Sequence, residues 1–159
     1  MSPLSHHKPT EAMPSASLRR LVRFRSHGTS LGLSATRTDE LIHQVERGFS
    51  FKALQTLEDR SGIALSLLAS VIGLPERTLA RRKASGRLAP DESERLLRIS
   101  SIFEKAVNLF AGDLEAAVRW LTTPKKALGN RLPLAYSRTE LGAREVENLI
   151  GRLEHGVFS

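Results

Sequence analysis

"LLASVIGLPERTLARRKASGRL", Leu67 to Leu88, changes character at its centre. An apolar run reaches Gly73 and Pro75 and then gives way to a stretch studded with arginines. A helix-turn-helix makes specific demands of such a segment. It needs a small residue where the second helix crosses the first, a turn residue that tolerates positive φ, and an apolar anchor facing back from the second helix. Ala69 meets the first demand and Gly73, four residues on, the second. Leu68, Ile72 and Leu74 face the core, and Leu79, six beyond Gly73, is the anchor. Pro75 presets the helical φ at the start of the second helix, and Glu76 suits its positive end. The residue nine beyond Gly73, usually apolar in this motif, is Arg82. Either the helix is short or Arg82 snorkels past the core. The candidate DNA-contacting residues are Glu76, Arg77, Thr78, Arg81, Arg82 and Lys83. An arginine fork matches the two acceptors of guanine, and Lys and Thr suit phosphates. The alternative is a helical hairpin with a solvated basic face.

The rest of the chain agrees with helices. Leu, Ala, Arg and Glu dominate its 159 residues, and aromatics are only 5 %. Hydrophobic residues, at 40 %, are enough for a core. The net charge of +7 suits a polyanionic partner. The absence of cysteine excludes a disulfide framework, a thiolate metal site and a Cys nucleophile. No apolar run approaches the roughly 18 residues that span a bilayer, and the start has no apolar core for a secretory signal. A soluble cytoplasmic protein with no membrane partner is expected.

Outward from the central motif, the periodicity predicts an all-α chain. Residues 1–35 read as a basic, flexible tail, with Pro3, Pro9 and Pro14 and little apolar pattern. Within it, Ser17–Arg25 sets Arg19, Arg20, Arg23 and Arg25 among Leu18, Leu21, Val22 and Phe24. This is either a basic arm for an anionic surface or a short helix packing its apolar side on the body. A helix-turn-helix and dimerisation region follows over 36–112, with helices stopping near Gly48 and Gly62. A long amphipathic helix runs from Asp91 to Phe110, with Pro90 at its start. Its face of Leu96, Ile99, Phe103, Val107 and Phe110 is a candidate dimer element, or else a core helix joining two halves. Residues 113–159 form a second, smaller helical unit. Asp113 caps one helix, Pro124 stops it, and a loop (Pro124–Leu134) leads to a last helix capped by Thr139.

No enzyme constellation is legible. The five histidines are scattered, and His43 with Glu46 makes two metal ligands without a third. No metal and no cofactor is expected.

"LPERTLARRKASGRLAPDESERLLRI", "WLTTPKKALGNRLPL" and "GAREVENLIGRLEHGVFS" together carry a resemblance. They are similar to antitoxins with an Xre-like helix-turn-helix and an MbcA/ParS-type toxin-binding domain. The similarity covers about Leu54 to Ser159; its most specific pieces are "RTLARR", Trp120-Leu121 followed by Pro124 and "ALG", and the terminal Gly156-Val157-Phe158. Asn130 stands where the family loop often has a second glycine, and "AYSR" where it usually continues apolar. The resemblance implies a partner toxin with a RES domain, related to ADP-ribosyltransferases and consuming NAD. It implies that the antitoxin blocks this toxin and represses their shared operon, and because one helix-turn-helix binds weakly, a homodimer on operator DNA is expected. The toxin-binding residues implied are Lys125, Leu128, Gly129 and Arg131 in the loop, with Arg152, His155, Gly156, Val157, Phe158 and Ser159 at the end. Val157, Phe158 and the terminal carboxylate suit a plug for a cleft, where arginines would pair with the carboxylate. Alternatively, Phe158 folds back onto Leu153. A plain dimeric helix-turn-helix regulator with no toxin is the competing function.

Overall fold

The computed structural model describes residues 22–24, 26–35 and 37–156. Among them are eight α-helices and no β-strand. The helices are α1 (Thr38–Arg47), α2 (Phe51–Ser61), α3 (Leu65–Val71), α4 (Glu76–Ser85), α5 (Pro90–Leu109), α6 (Leu114–Leu121), α7 (Pro133–Tyr136) and α8 (Glu140–Glu154). Two 3-10 turns, Thr29–Leu31 and Lys126–Leu128, complete the fold. Ser50 caps α2, Asp113 caps α6 and Thr139 caps α8, each side chain accepting a backbone N–H of the first turn. Pro90 is the first residue of α5, where its missing N–H costs nothing.

The architecture centres on α5. Helices α1, α6 and α8 and the first 3-10 turn all pack against it. One hydrophobic cluster runs through both halves, from Phe49, Leu54 and Leu57 to Leu121, Val146 and Ile150. Leu96, Ile99, Phe103 and Val107 lie at its centre, each at most 1 % exposed. This corrects their reading as a dimer face. Their spacing marks an apolar stripe, but the chain's own helices cover it, and apolar burial is satisfied within one molecule. Phe110 is only partly buried and packs on the rim of the same core.

The described part of the N-terminal segment follows the packing alternative, though not as a helix. Residues 22–35 lie on the body where they are described. The Val22 N–H donates to the Gly112 carbonyl at 3.1 Å, and the Phe24 ring meets Phe103 with centroids 5.6 Å apart. These two apolar side chains of the predicted arm thus pack on the core, from residues that are not helical. Leu18, Arg19, Arg20, Leu21 and Arg25 lie outside the described residues.

A buried carboxylate fastens this segment. Glu104 is 5 % exposed and accepts from Ser30 N at 2.9 Å and Ser30 Oγ at 2.7 Å. Burial pushes its carboxyl above the usual carboxylate value of 4.5, and the Ser30 hydrogen bonds only partly oppose it. A folded-state pKa above the unfolded one favours folding most at low pH, and that advantage is lost as pH rises through the raised value. Denaturant melts from about pH 4 to about pH 8 will therefore show the Glu104→Gln variant gaining on the parent as pH rises. A constant gap across that range would mean the carboxyl is not shifted.

Candidate functional site

The turn between α3 and α4 forms as the residue types dictate. Gly73 has φ +75°, the left-handed region that a side chain disfavours. The Leu74 N–H reaches back to the Ala69 carbonyl at 2.8 Å, and Arg95 Nε donates to the Ile72 carbonyl at 2.6 Å, closing the end of α3. Ala69 is 2 % exposed beneath the crossing, beside buried Leu68, Ile72 and Leu74. Pro75 is the residue before the helix, with ψ 156°, not its first helical residue.

Helix α4 stands proud of the body. None of its residues is fully buried, and Leu79 alone packs its apolar side on the core cluster. Glu76, Arg77, Arg81 and Lys83 are exposed, and Thr78 is half-buried. The arrangement gives a short helix held at one edge, with two arginines outward and an acidic residue at its positive end.

Arg82 belongs to a different job. Its Nε donates to Glu92 Oε1 at 2.7 Å and its Nη2 to Glu92 Oε2 at 3.3 Å. Glu92 is 5 % exposed and also accepts the Ala89 N–H at 2.7 Å, capping α5 from its own third residue. Arg82 is therefore removed from the candidate DNA contacts. A two-point ion pair replaces the apolar residue that the motif normally carries there, and it orients α4 against α5. Glu92 was legible as an acid suited to the start of α5, but its pairing with Arg82 was not, because that partner is ten residues away in another helix.

At the other end, residues 125–131 close on themselves. The Lys125 N–H donates to the Arg131 carbonyl at 3.1 Å, and the Asn130 N–H to the Lys125 carbonyl at 2.9 Å. Gly129 and Asn130 both have positive φ, +63° and +61°. Asn is the side chain that best tolerates this region, which accounts for its standing in for a glycine. Leu128 is 4 % exposed and pins the loop to the core, so it is withdrawn as a contact residue. Gly129 and Arg131 are exposed and Lys125 is half-buried.

Two aromatic residues to which the sequence reading gave no contact role, Trp120 and Tyr136, support the loop's cations. Lys125 Nζ lies 5.4 Å from the centre of the Trp120 ring, and the Arg131 guanidinium 5.1 Å from Tyr136. Partial burial lowers the Lys125 pKa below its ordinary value. The polar "AYSR" segment thereby acquires roles. Tyr136 carries Arg131, Ser137 is fully buried and donates to the Pro133 carbonyl at 2.8 Å, and the Arg138 carbonyl accepts Arg98 Nη1 at 3.2 Å. Arg138 also lines a cleft of about 600 Å³ with Ala69, Leu74 and Leu79, so the two halves meet beside the turn.

Along α8, Arg152, His155 and Gly156 are exposed, with Gly156 at φ +66° just past the helix end. Val157, Phe158 and Ser159 lie outside the described residues. His43 and Glu46 form an exposed surface pair at 3.8 Å. No group of three metal-ligating side chains occurs among the described residues. No helix among them is long and apolar enough to cross a membrane.

Comparison with known proteins matches both halves. Residues 40–101 match the antitoxin Xre-like helix-turn-helix domain, and residues 105–156 the antitoxin Xre/MbcA/ParS C-terminal toxin-binding domain. The two matches meet within α5, whereas the sequence pattern suggested a seam at Gly112. A protein of Yersinia enterocolitica named antitoxin Xre is 42 % identical over 130 residues, covering 81 % of this chain and 88 % of its own length. An antitoxin Xre of Photorhabdus laumondii is 30 % identical over 131 residues, covering 82 % and 88 %. One from Pseudomonas putida is 30 % identical over 118 residues, covering 74 % and 72 %.

Proposed function

Because this chain belongs to the Xre antitoxins, which join an Xre-like helix-turn-helix to an MbcA/ParS toxin-binding domain, we propose that it works through two separate surfaces of one helical body. It is the antitoxin of a toxin–antitoxin pair and not an enzyme. On the first surface, Arg77 and Arg81 read operator DNA in the major groove, with Glu76, Thr78 and Lys83 around them. The chain acts there as a homodimer that represses its own operon. With Leu96, Ile99, Phe103 and Val107 inside the core, its partner copy docks on some other face.

On the second surface, the 125–131 loop and the end of α8 hold a RES-type, NAD-consuming toxin. Lys125, Gly129, Arg131, Arg152, His155 and Gly156 form the contact. Val157, Phe158 and Ser159 enter the toxin's cleft. The observation that carries this reading is the match of residues 105–156 to a toxin-binding domain, on elements other than α4.

Separation of function tests it. The Arg77→Ala/Arg81→Ala variant will lose operator binding, each bidentate base contact being worth about 1–3 kcal/mol, yet will still bind and neutralise the toxin. A chain lacking His155–Ser159 will bind DNA normally and fail to neutralise. Neutralisation by the truncated chain at matched concentration would remove the plug. Loss of both activities in the arginine variant, with the fold intact, would mean the two surfaces are one.

A further inference from the structure

A second basic feature lies where the C-terminal end of α4 is stitched to the turn between α1 and α2. Gly86 closes α4, and its carbonyl accepts the Phe51 N–H at 2.9 Å. The Leu88 N–H donates to the Phe49 carbonyl at 2.9 Å. Between these two bonds Arg87 crosses to the α1–α2 turn, and its Nη1 donates to the Gly48 carbonyl at 2.8 Å. Such close passage requires glycine at 48. Its φ is +81°, and an added Cβ would collide with the Leu88 carbonyl oxygen.

The result is a cleft of about 360 Å³ whose walls include Arg47, Arg87, Gln44, Ser34 and Ser50, with no carboxylate among its lining residues. A guanidinium has five N–H donors, and the grip on the turn uses Nη1. Gln44 lines the same cleft, and its amide can donate as well as accept.

We infer that this cleft grips a backbone phosphodiester of DNA flanking the groove that α4 reads. Position supports it. A recognition helix lies in the major groove with its N-terminal residues at the bases, and Arg87 follows the far, C-terminal end of α4. With Arg77 and Arg81 over the bases, Arg87 and Arg47 meet the strand at the groove's edge. The inference rests on the DNA-binding reading of α4 and adds a contact that is blind to sequence.

The test needs no knowledge of the operator. Affinity of the full chain for a random-sequence duplex of about 30 base pairs is measured from about 50 to about 200 mM salt. Each phosphate contact contributes about 0.9 to the slope of log affinity against log salt. The Arg47→Gln/Arg87→Gln variant will lower the slope by about 1.8 per chain, so the loss of affinity over that range shrinks about twelve-fold. Arg47→Gln alone, which spares the Arg87 grip on Gly48, will show about half the slope change, and thermal melts confirm that it folds. An unchanged slope in both variants would overturn the cleft while leaving α4 as the reader. No salt-dependent binding by the unaltered chain would overturn the DNA reading and this contact together. Saturation of the unaltered chain by inorganic phosphate at sub-millimolar concentration, with no slope change in the variants, would assign the cleft to a free anion.

Discussion

Replacing Gly142 with alanine will disrupt the packing of α7 on α8, while the same change at Gly151, later in the same helix, will stabilise the protein. Both glycines lie inside α8, where alanine is preferred by about 1 kcal/mol. Space decides the sign. A Cβ on Gly142 would fall onto the Tyr136 carbonyl oxygen and stand 2.9 Å from the carbonyl carbon. That carbonyl belongs to backbone at the end of α7 and cannot rotate aside. Gly142 also donates its N–H to the Thr139 cap at 3.0 Å, so withdrawing the helix would break its own start.

Forced overpacking costs about 1–3 kcal/mol and occasionally more, and a backbone clash lies at the upper end. At Gly151 nothing lies within 4 Å of the added atom, leaving a gain of about 0.5–1 kcal/mol. Thermal melts of the two variants read the contrast directly. Equal melting temperatures would mean that α7 yields to the new methyl. Because α7 carries Tyr136 and hence Arg131, the Gly142 variant is also expected to weaken toxin binding. Gly151→Ala should leave it intact.

The second large effect is expected where Arg82 meets Glu92. Glu92→Ala removes the acceptor of both the Arg82 guanidinium and the Ala89 N–H, leaving a guanidinium and a cap without their partner. Breaking one side of a buried pair is worse than replacing both. The melting temperature will fall by several degrees, and DNA binding will fall with it as α4 loses its brace. Arg82→Met with Glu92→Gln is the informative rescue. Gln keeps an acceptor for Ala89, and Met restores the apolar contact usual at this place in the motif. The double variant will recover most of the stability and DNA binding. Recovery by Arg82→Met alone would show that the ion pair has no structural role. A persistent loss of DNA binding in the stable double variant would return Arg82 to the DNA contacts.

Ala69, Gly73, Leu74 and Leu79 were legible as a helix-turn-helix because its demands are local. A small crossing residue, a positive φ and an anchor all fall within a dozen residues of each other. The caps at Asp113 and Thr139 were legible for the same reason, since an N-cap bonds to backbone about three residues away. Periodicity located α5, but an apolar stripe cannot say which surface covers it. Leu96 and Phe103 fit a dimer seam and a monomer core equally well until the other helices are placed. The four-residue α7 and the 3-10 turn at Lys126–Leu128 are too short to show a period and were read as loop.

Sequence alone thus determined the helical class, the turn at Gly73 and the outward arginines of α4, because each follows from neighbours along the chain. The family resemblance carried by its ordered motifs agreed with the comparisons. Tertiary structure alone decided that Arg82, read with the outward set, turns back to brace α4, that Leu128 is an anchor, and that Ser30 is tied to Glu104. It also decided that Arg87 and Arg47 share a cleft. Those pairings span ten to seventy-four residues and are selected by burial, which compels a polar group to find a partner wherever the fold supplies one.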